Sequence, residues 1–166
     1  KKTAEVRTVS PRAAIQQGPL LTNRITTGNM YLFAYDPKTK EDLPYYDRFP
    51  LVFPFRRVPD GFYGINMHYL PPLLRAKLMD ALYDTVNNDN MDETTRLRIN
   101  YRILQSAAKF RFFEPCVKHY LNNHVKSRFL QVDPTQWDVA LFLPLERFAK
   151  ANKLKVYADS KKKIYQ

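Results

Sequence analysis

Met30-Tyr31-Leu32-Phe33-Ala34-Tyr35 is followed at once by Asp36-Pro37-Lys38-Thr39-Lys40. The first six residues are aromatic-rich and suit a β-strand, and the next five supply turn chemistry. Leu51-Val52-Phe53-Pro54-Phe55-Arg56 reads as a second strand, in which Pro54 cannot donate to a ladder and so predicts an edge or a bulge. Val58-Pro59-Asp60-Gly61 is a turn, and Phe62-Tyr63-Gly64-Ile65-Asn66-Met67 a third strand after it. Residues 28–70 thus predict a small antiparallel sheet or a partly open barrel.

Beyond Leu70 the apolar period becomes helical. Pro71-Pro72 can start a helix that carries Leu74, Leu78, Ala81, Leu82 and Thr85 on one side and ends near Asn87-Asn88. Asp92-Glu93-Thr94-Thr95 is a start signal, because acids and threonines suit the free amides of a first turn, and the helix it opens runs to about Phe110. After Pro115 a third helix is expected over Cys116 to Phe129, with Val117, Leu121, His124 and Val125 on its buried side. Asp133-Pro134-Thr135 caps a further turn before Gln136-Trp137-Asp138, and Pro144 opens a short amphipathic helix through Lys150. The class is therefore α+β, a sheet packed with a bundle of three to four helices. The division is 1–27 as an extended basic arm, 28–152 as a single domain and 153–166 as a basic tail, mobile at Lys161-Lys162-Lys163.

The chain has 166 residues, 45% hydrophobic and 14% aromatic, with 4 glycines, which suffices for a core and excludes a disordered polymer or a multidomain enzyme. No repeat at a 20–50 residue period exists, so solenoids and propellers are excluded too. One cysteine, Cys116, precludes an internal disulfide and suggests a reducing setting. No window approaches the roughly 18 apolar residues of a membrane span, so a soluble protein with no membrane partner is expected.

The net charge of +11 is unevenly distributed. Residues 1–24, 96–128 and 147–166 carry net +4, +7 and +6, which leaves −6 for the remainder, much of it at Asp80, Asp84, Asp89, Asp92 and Glu93. Arg98, Arg102 and Lys109 recur at helical spacing beside an apolar stripe, and Lys118, Lys126 and Arg128 add to them. With Lys161, Lys162 and Lys163 they are candidate contacts for phosphates or for an acidic partner, although a solvated helix face reads the same way. Tyr45, Tyr46 and Arg48 could stack on unpaired bases, and Phe53 to Arg57 repeats the mixture; such rings also fill cores.

Catalytic chemistry is poorly supplied. His68, His119, His124 and Cys116 lack the paired spacing of a structural zinc site, and no strained turn presents Cys116 as a nucleophile. The acidic cluster could collect magnesium as nuclease sites do, but Asp80 and Asp84 sit away from the apolar stripe, where solvated charge belongs. Gly61-Phe62-Tyr63-Gly64 lacks the third glycine of a phosphate loop. No catalytic residue, metal or cofactor is assigned.

The stretch Gly28-Asn29-Met30-Tyr31-Leu32-Phe33-Ala34-Tyr35-Asp36-Pro37-Lys38, continued by Leu43-Pro44-Tyr45-Tyr46-Asp47-Arg48-Phe49-Pro50-Leu51, Gly61 to Leu70 and Asp138 to Pro144, resembles small virion-associated proteins of T4-type tailed phages, cyanophages above all. The resemblance implies a non-enzymatic structural or assembly protein of the head, neck or baseplate, located in the virion. Its partners would be other virion proteins in a homo- or hetero-oligomeric assembly, its basic face meeting packaged DNA. The alternative is a sequence-nonspecific DNA-binding protein, such as a protector of DNA ends or a packaging or replication factor.

Overall fold

A computed structural model of the chain describes residues 10–17, 20–86 and 111–165. The decisive stretch is strand β2 (Met30–Leu32), and its alternation organises the molecule. Met30 and Leu32 point to one face, Tyr31, Phe33 and Tyr35 to the other, and all five are buried. β2 pairs antiparallel with β4 (Leu51–Val58) on one side and β7 (Phe129–Val132) on the other. With β1 (Leu21–Thr22), β5 (Gly61–Asn66) and β6 (Val117–Leu121) they form a six-stranded sheet of order β1-β7-β2-β4-β5-β6. Among the described residues the sheet does not close into a barrel, and β3 (Tyr46–Asp47) pairs separately with β8 (Phe148–Ala149). Pro54 lies between two neighbours at a register shift, Phe55 being the extra residue between Pro54 and Arg56, so the bulge reading of that proline holds and the edge reading does not.

Both faces of the sheet are packed. On one, Leu32, Leu51, Phe53 and Ile65 meet α1 (Pro11–Gln17), α2 (Pro72–Val86), α3 (Trp137–Phe142) and α4 (Lys153–Ile164) through Ile15, Leu74, Trp137 and Val156. These four α-helices of the described residues share the sheet's core and do not form a bundle around one of their own. On the other face Phe33 makes edge-to-face contacts with Tyr35, Phe62, Tyr120 and Phe129, with ring centroids 5.0–6.2 Å apart. The chain closes over this second cluster through the Tyr35–Val125 bridge and the hydrogen bond from Lys126 N to Ala34 O.

Several helical expectations fail for identifiable reasons. Residues 116–129 are not a helix. Val117-Lys118-His119-Tyr120-Leu121 is rich in β-branched and aromatic residues and finds a ladder partner in β5, from Ile65 opposite Val117 to Gly61 opposite Leu121. Long-range pairing thus overrides the local helical spacing. Pro144 to Arg147 is irregular, because Glu146 turns inward to Arg75 and the next residues pair with β3. The presumed arm contains α1, whose Ser10 hydroxyl accepts from Ala13 N, and whose Ile15 is buried. The presumed mobile tail is α4, capped by Asn152 accepting from Lys155 N at 2.9 Å and anchored by buried Val156, Tyr157 and Ser160. The expected helix from Asp92 to Phe110, with Arg98, Arg102 and Lys109, lies outside the described residues. The α2 helix and the Asp133 cap form where the sequence places them.

Gly61 is required by close approach, since a Cβ there would stand 1.8 Å from the Tyr120 carbonyl oxygen on β6. Replacing it with alanine must push the two strands apart. A loss of about 1–3 kcal/mol is expected, as for overpacked interiors, measurable by urea unfolding.

Candidate nucleic-acid interface

Between the two sheets lies a buried polar cluster. Asp47, the last residue of β3, accepts from the Phe49 amide at 3.0 Å and from Asn66 Nδ2 at 3.1 Å, and its Oδ2 stands 2.7 Å from Nδ1 of His68. Burial alone would push the Asp47 carboxyl up, but His68, Asn66 and the Phe49 amide together hold it below 3.8. Arg75 of α2, 1% exposed, donates to Leu70 O at 2.7 Å, Leu141 O at 2.6 Å and Tyr157 Oη at 2.8 Å, and stands 3.6 Å from Glu146. Nε2 of His68 is buried without a hydrogen-bond partner.

Above this floor opens a cleft of about 260 Å³ lined by tyrosines 35, 45, 46, 69 and 120 together with Lys38, Lys118 and His119. The pairing of β6 with β5 places Lys118 opposite Gly64, and its Nζ lies 4.0 Å from the centroid of the Tyr69 ring. Burial lowers the Lys118 pKa, the neighbouring Cys116 opposes this, and Lys163 lowers it further. No carboxylate among the described residues pairs with this ammonium. Tyr45 donates to Asp159 at 3.1 Å, and burial together with that carboxylate raises its phenol to about 12.

Tyr45 also lines a second groove, of about 710 Å³, with Lys150, Lys155, Asp159, Lys162 and Lys163. Positions 155, 159, 162 and 163 fall within about 100° of one another around α4, with Tyr157 on the far side. Lys155 is paired with Asp159 at 2.9 Å, while the Lys150 ammonium is taken by the carbonyls of Lys40, Glu41 and Leu43. Lys162 and Lys163 have no such partner among the described residues and sit in the last turn, where the helix dipole favours cations. A third groove, about 700 Å³, brings Arg24, Arg57 and Arg128 over a floor of Ile25, Phe62 and Phe129; Arg128 donates to Leu21 O at 3.2 Å.

Of the residues singled out in the sequence, Tyr45, Tyr46 and Lys118 line the cleft, and Lys162 and Lys163 line the groove that shares Tyr45 with it. Lys161 is exposed on the same helix turn, Arg128 lies in the arginine groove, and Lys126 is exposed on the connection from β6 to β7. Arg48 is exposed and lines none of these grooves, and Arg98, Arg102 and Lys109 fall outside the described residues. Sequence reading missed Asp47, His68, Arg75 and Glu146, which are brought together from up to 99 positions apart, and it missed Arg24 and Arg57 as members of a cluster. Among the described residues no group of three metal-ligating side chains exists, and no helix is long and apolar enough to cross a membrane.

No curated protein and no solved structure matches the chain. The family described as phage T4 terminal DNA protecting protein matches residues 17–166, which takes in the cleft, both grooves and the polar floor. A match over nearly the whole length settles the kinship: the chain belongs to the phage T4 terminal DNA protecting protein family.

Proposed function

We propose that this phage protein binds the ends of linear DNA and shields them, without catalysing a reaction. The observation that carries the reading is the lysine groove of α4 set beside the tyrosine cleft, with Tyr45 lining both, in a chain whose family is named for protecting DNA termini. Lys162 and Lys163 contact backbone phosphates, and the tyrosines at the inner end receive what a duplex exposes only at its terminus, an unstacked or fraying nucleotide. Family membership supports this reading, the alternative drawn from the sequence, over a structural bridge between virion subunits. A family named for protection rather than for a reaction also favours a non-catalytic role.

The test is a digestion and binding pair. Linear duplex incubated with the protein should resist a double-strand exonuclease, and closed circular DNA should compete weakly for it. Lys162→Glu with Lys163→Glu should weaken binding and lower the slope of log affinity against log salt by about 2, one for each phosphate no longer neutralised. Equal affinity for circles and linear DNA, or an unchanged salt slope, would sink the proposal.

A further inference from the structure

We propose that the cleft around Lys118 is a subsite for a terminal phosphomonoester, so that the protein reads the phosphorylation state of the DNA end and not only its existence. The inference rests on the DNA-end reading above and adds to it the group recognised. Lys118 is an ammonium held in a half-buried cleft, seated on the Tyr69 ring at 4.0 Å, with no carboxylate among the described residues to neutralise it. Holding a cation in such surroundings is costly unless an anion completes it, and burial already lowers its pKa. Lys163 lies near enough to depress Lys118 further, and it lines the adjoining lysine groove, which shares Tyr45 with the cleft.

The other walls fit a nucleotide. Tyr45 and Tyr46 line the same cleft, and the Tyr35 hydroxyl, which accepts from Leu121 N at 2.8 Å, keeps its own proton to donate. A volume of about 260 Å³ is below the roughly 300–1,000 Å³ of sites for larger ligands and suits a single nucleotide. Asp47, the one carboxylate of the lining, does not repel the phosphate strongly, because both its oxygens are engaged by Phe49 N, Asn66 and His68. A chain running laterally through the groove carries only phosphodiesters flanked on both sides. A phosphomonoester, with its extra charge and single attachment, exists only at an end.

The experiment compares blunt duplexes that differ solely in carrying a 5′-phosphate, a 3′-phosphate or hydroxyls at both termini, by fluorescence anisotropy with the full chain. One phosphorylated end should bind about ten- to a hundredfold tighter than the hydroxyl end, the range of a charge-assisted hydrogen bond. Deoxyadenosine monophosphate should compete where deoxyadenosine does not. Lys118→Met, which keeps the packing on Tyr69, should abolish the preference while thermal unfolding and the salt slope measured on the hydroxyl-ended duplex stay as in the parent. Equal affinity of the unmodified chain for all three ends overturns the inference and leaves the DNA-end reading standing. A chain that binds no linear duplex removes both.

Discussion

Arg75→Met should cost about 3–5 kcal/mol of folding free energy, much of the 5–15 kcal/mol that a domain of this size possesses. The guanidinium binds three acceptors at 2.6–2.8 Å and so ties the Leu70 turn, α3 and α4 together. Methionine fills most of the volume but strands the two carbonyls and takes from Glu146, 8% exposed, its buried guanidinium neighbour, leaving the half-exposed Lys153 ammonium at 3.3 Å. Lysine is expected to fail as well, because a point charge cannot reproduce the planar fork. Urea unfolding should show the lowered midpoint, and Glu146→Gln added to Arg75→Met should recover part of the loss by removing the stranded carboxylate. A single Arg75→Met change within 1 kcal/mol of the parent would show that the cluster contributes little.

Asp47→Ala should be as damaging, about 3–5 kcal/mol, since it orphans the Phe49 amide, Asn66 and His68 in one step. The same carboxylate sets an acid limit. Its pKa is lower in the folded chain than the ordinary 3.8, so its contribution is complete above that value and is lost as the pH falls through the folded one. Glu146 behaves alike. Burial pushes it up, but His68, its own backbone, Arg75 and Lys153 together hold it below 4.5. Stability should therefore decline below about pH 4.5 and steepen beneath 3.8, and Asp47→Asn should flatten that decline while lowering stability at neutral pH. Unfolding midpoints measured from about pH 3 to 7 decide the matter, and an acid limb as steep in Asp47→Asn as in the parent would exclude Asp47 as its source.

What can be read in the sequence is local. The strands around Met30, Leu51 and Phe62, the Asp133 cap and the α2 start all depend on neighbours within a few residues, and they form as expected. Cys116 to Phe129 misleads because Val117, Leu121, His124 and Val125 recur at helical spacing, whereas the deciding partner, β5, lies more than fifty positions away. The same distance hides the polar floor: nothing near His68 announces Asp47 or Glu146. The cleft is half legible, as basic and aromatic residues worth noting, but their convergence requires the topology. Lysines 161–163 read as tail because their own composition is polar, and the apolar positions that fix α4 are the sparser Val156 and Tyr157.

The sheet packs side chains against both of its surfaces, and this decides where a ligand can go. Among the described residues no broad pleated platform remains on which bases could lie in a row, as they do on single-layered nucleic-acid binders. Whatever binds must meet the rim, where turns, strand ends and a helix flank supply charge without supporting the interior. Contact chemistry is thereby separated from folding. Lysines and arginines at the rim can be exchanged, reversed or multiplied to retune affinity with the interior undisturbed, whereas two rows of aromatic and aliphatic residues a few ångströms below admit almost no change.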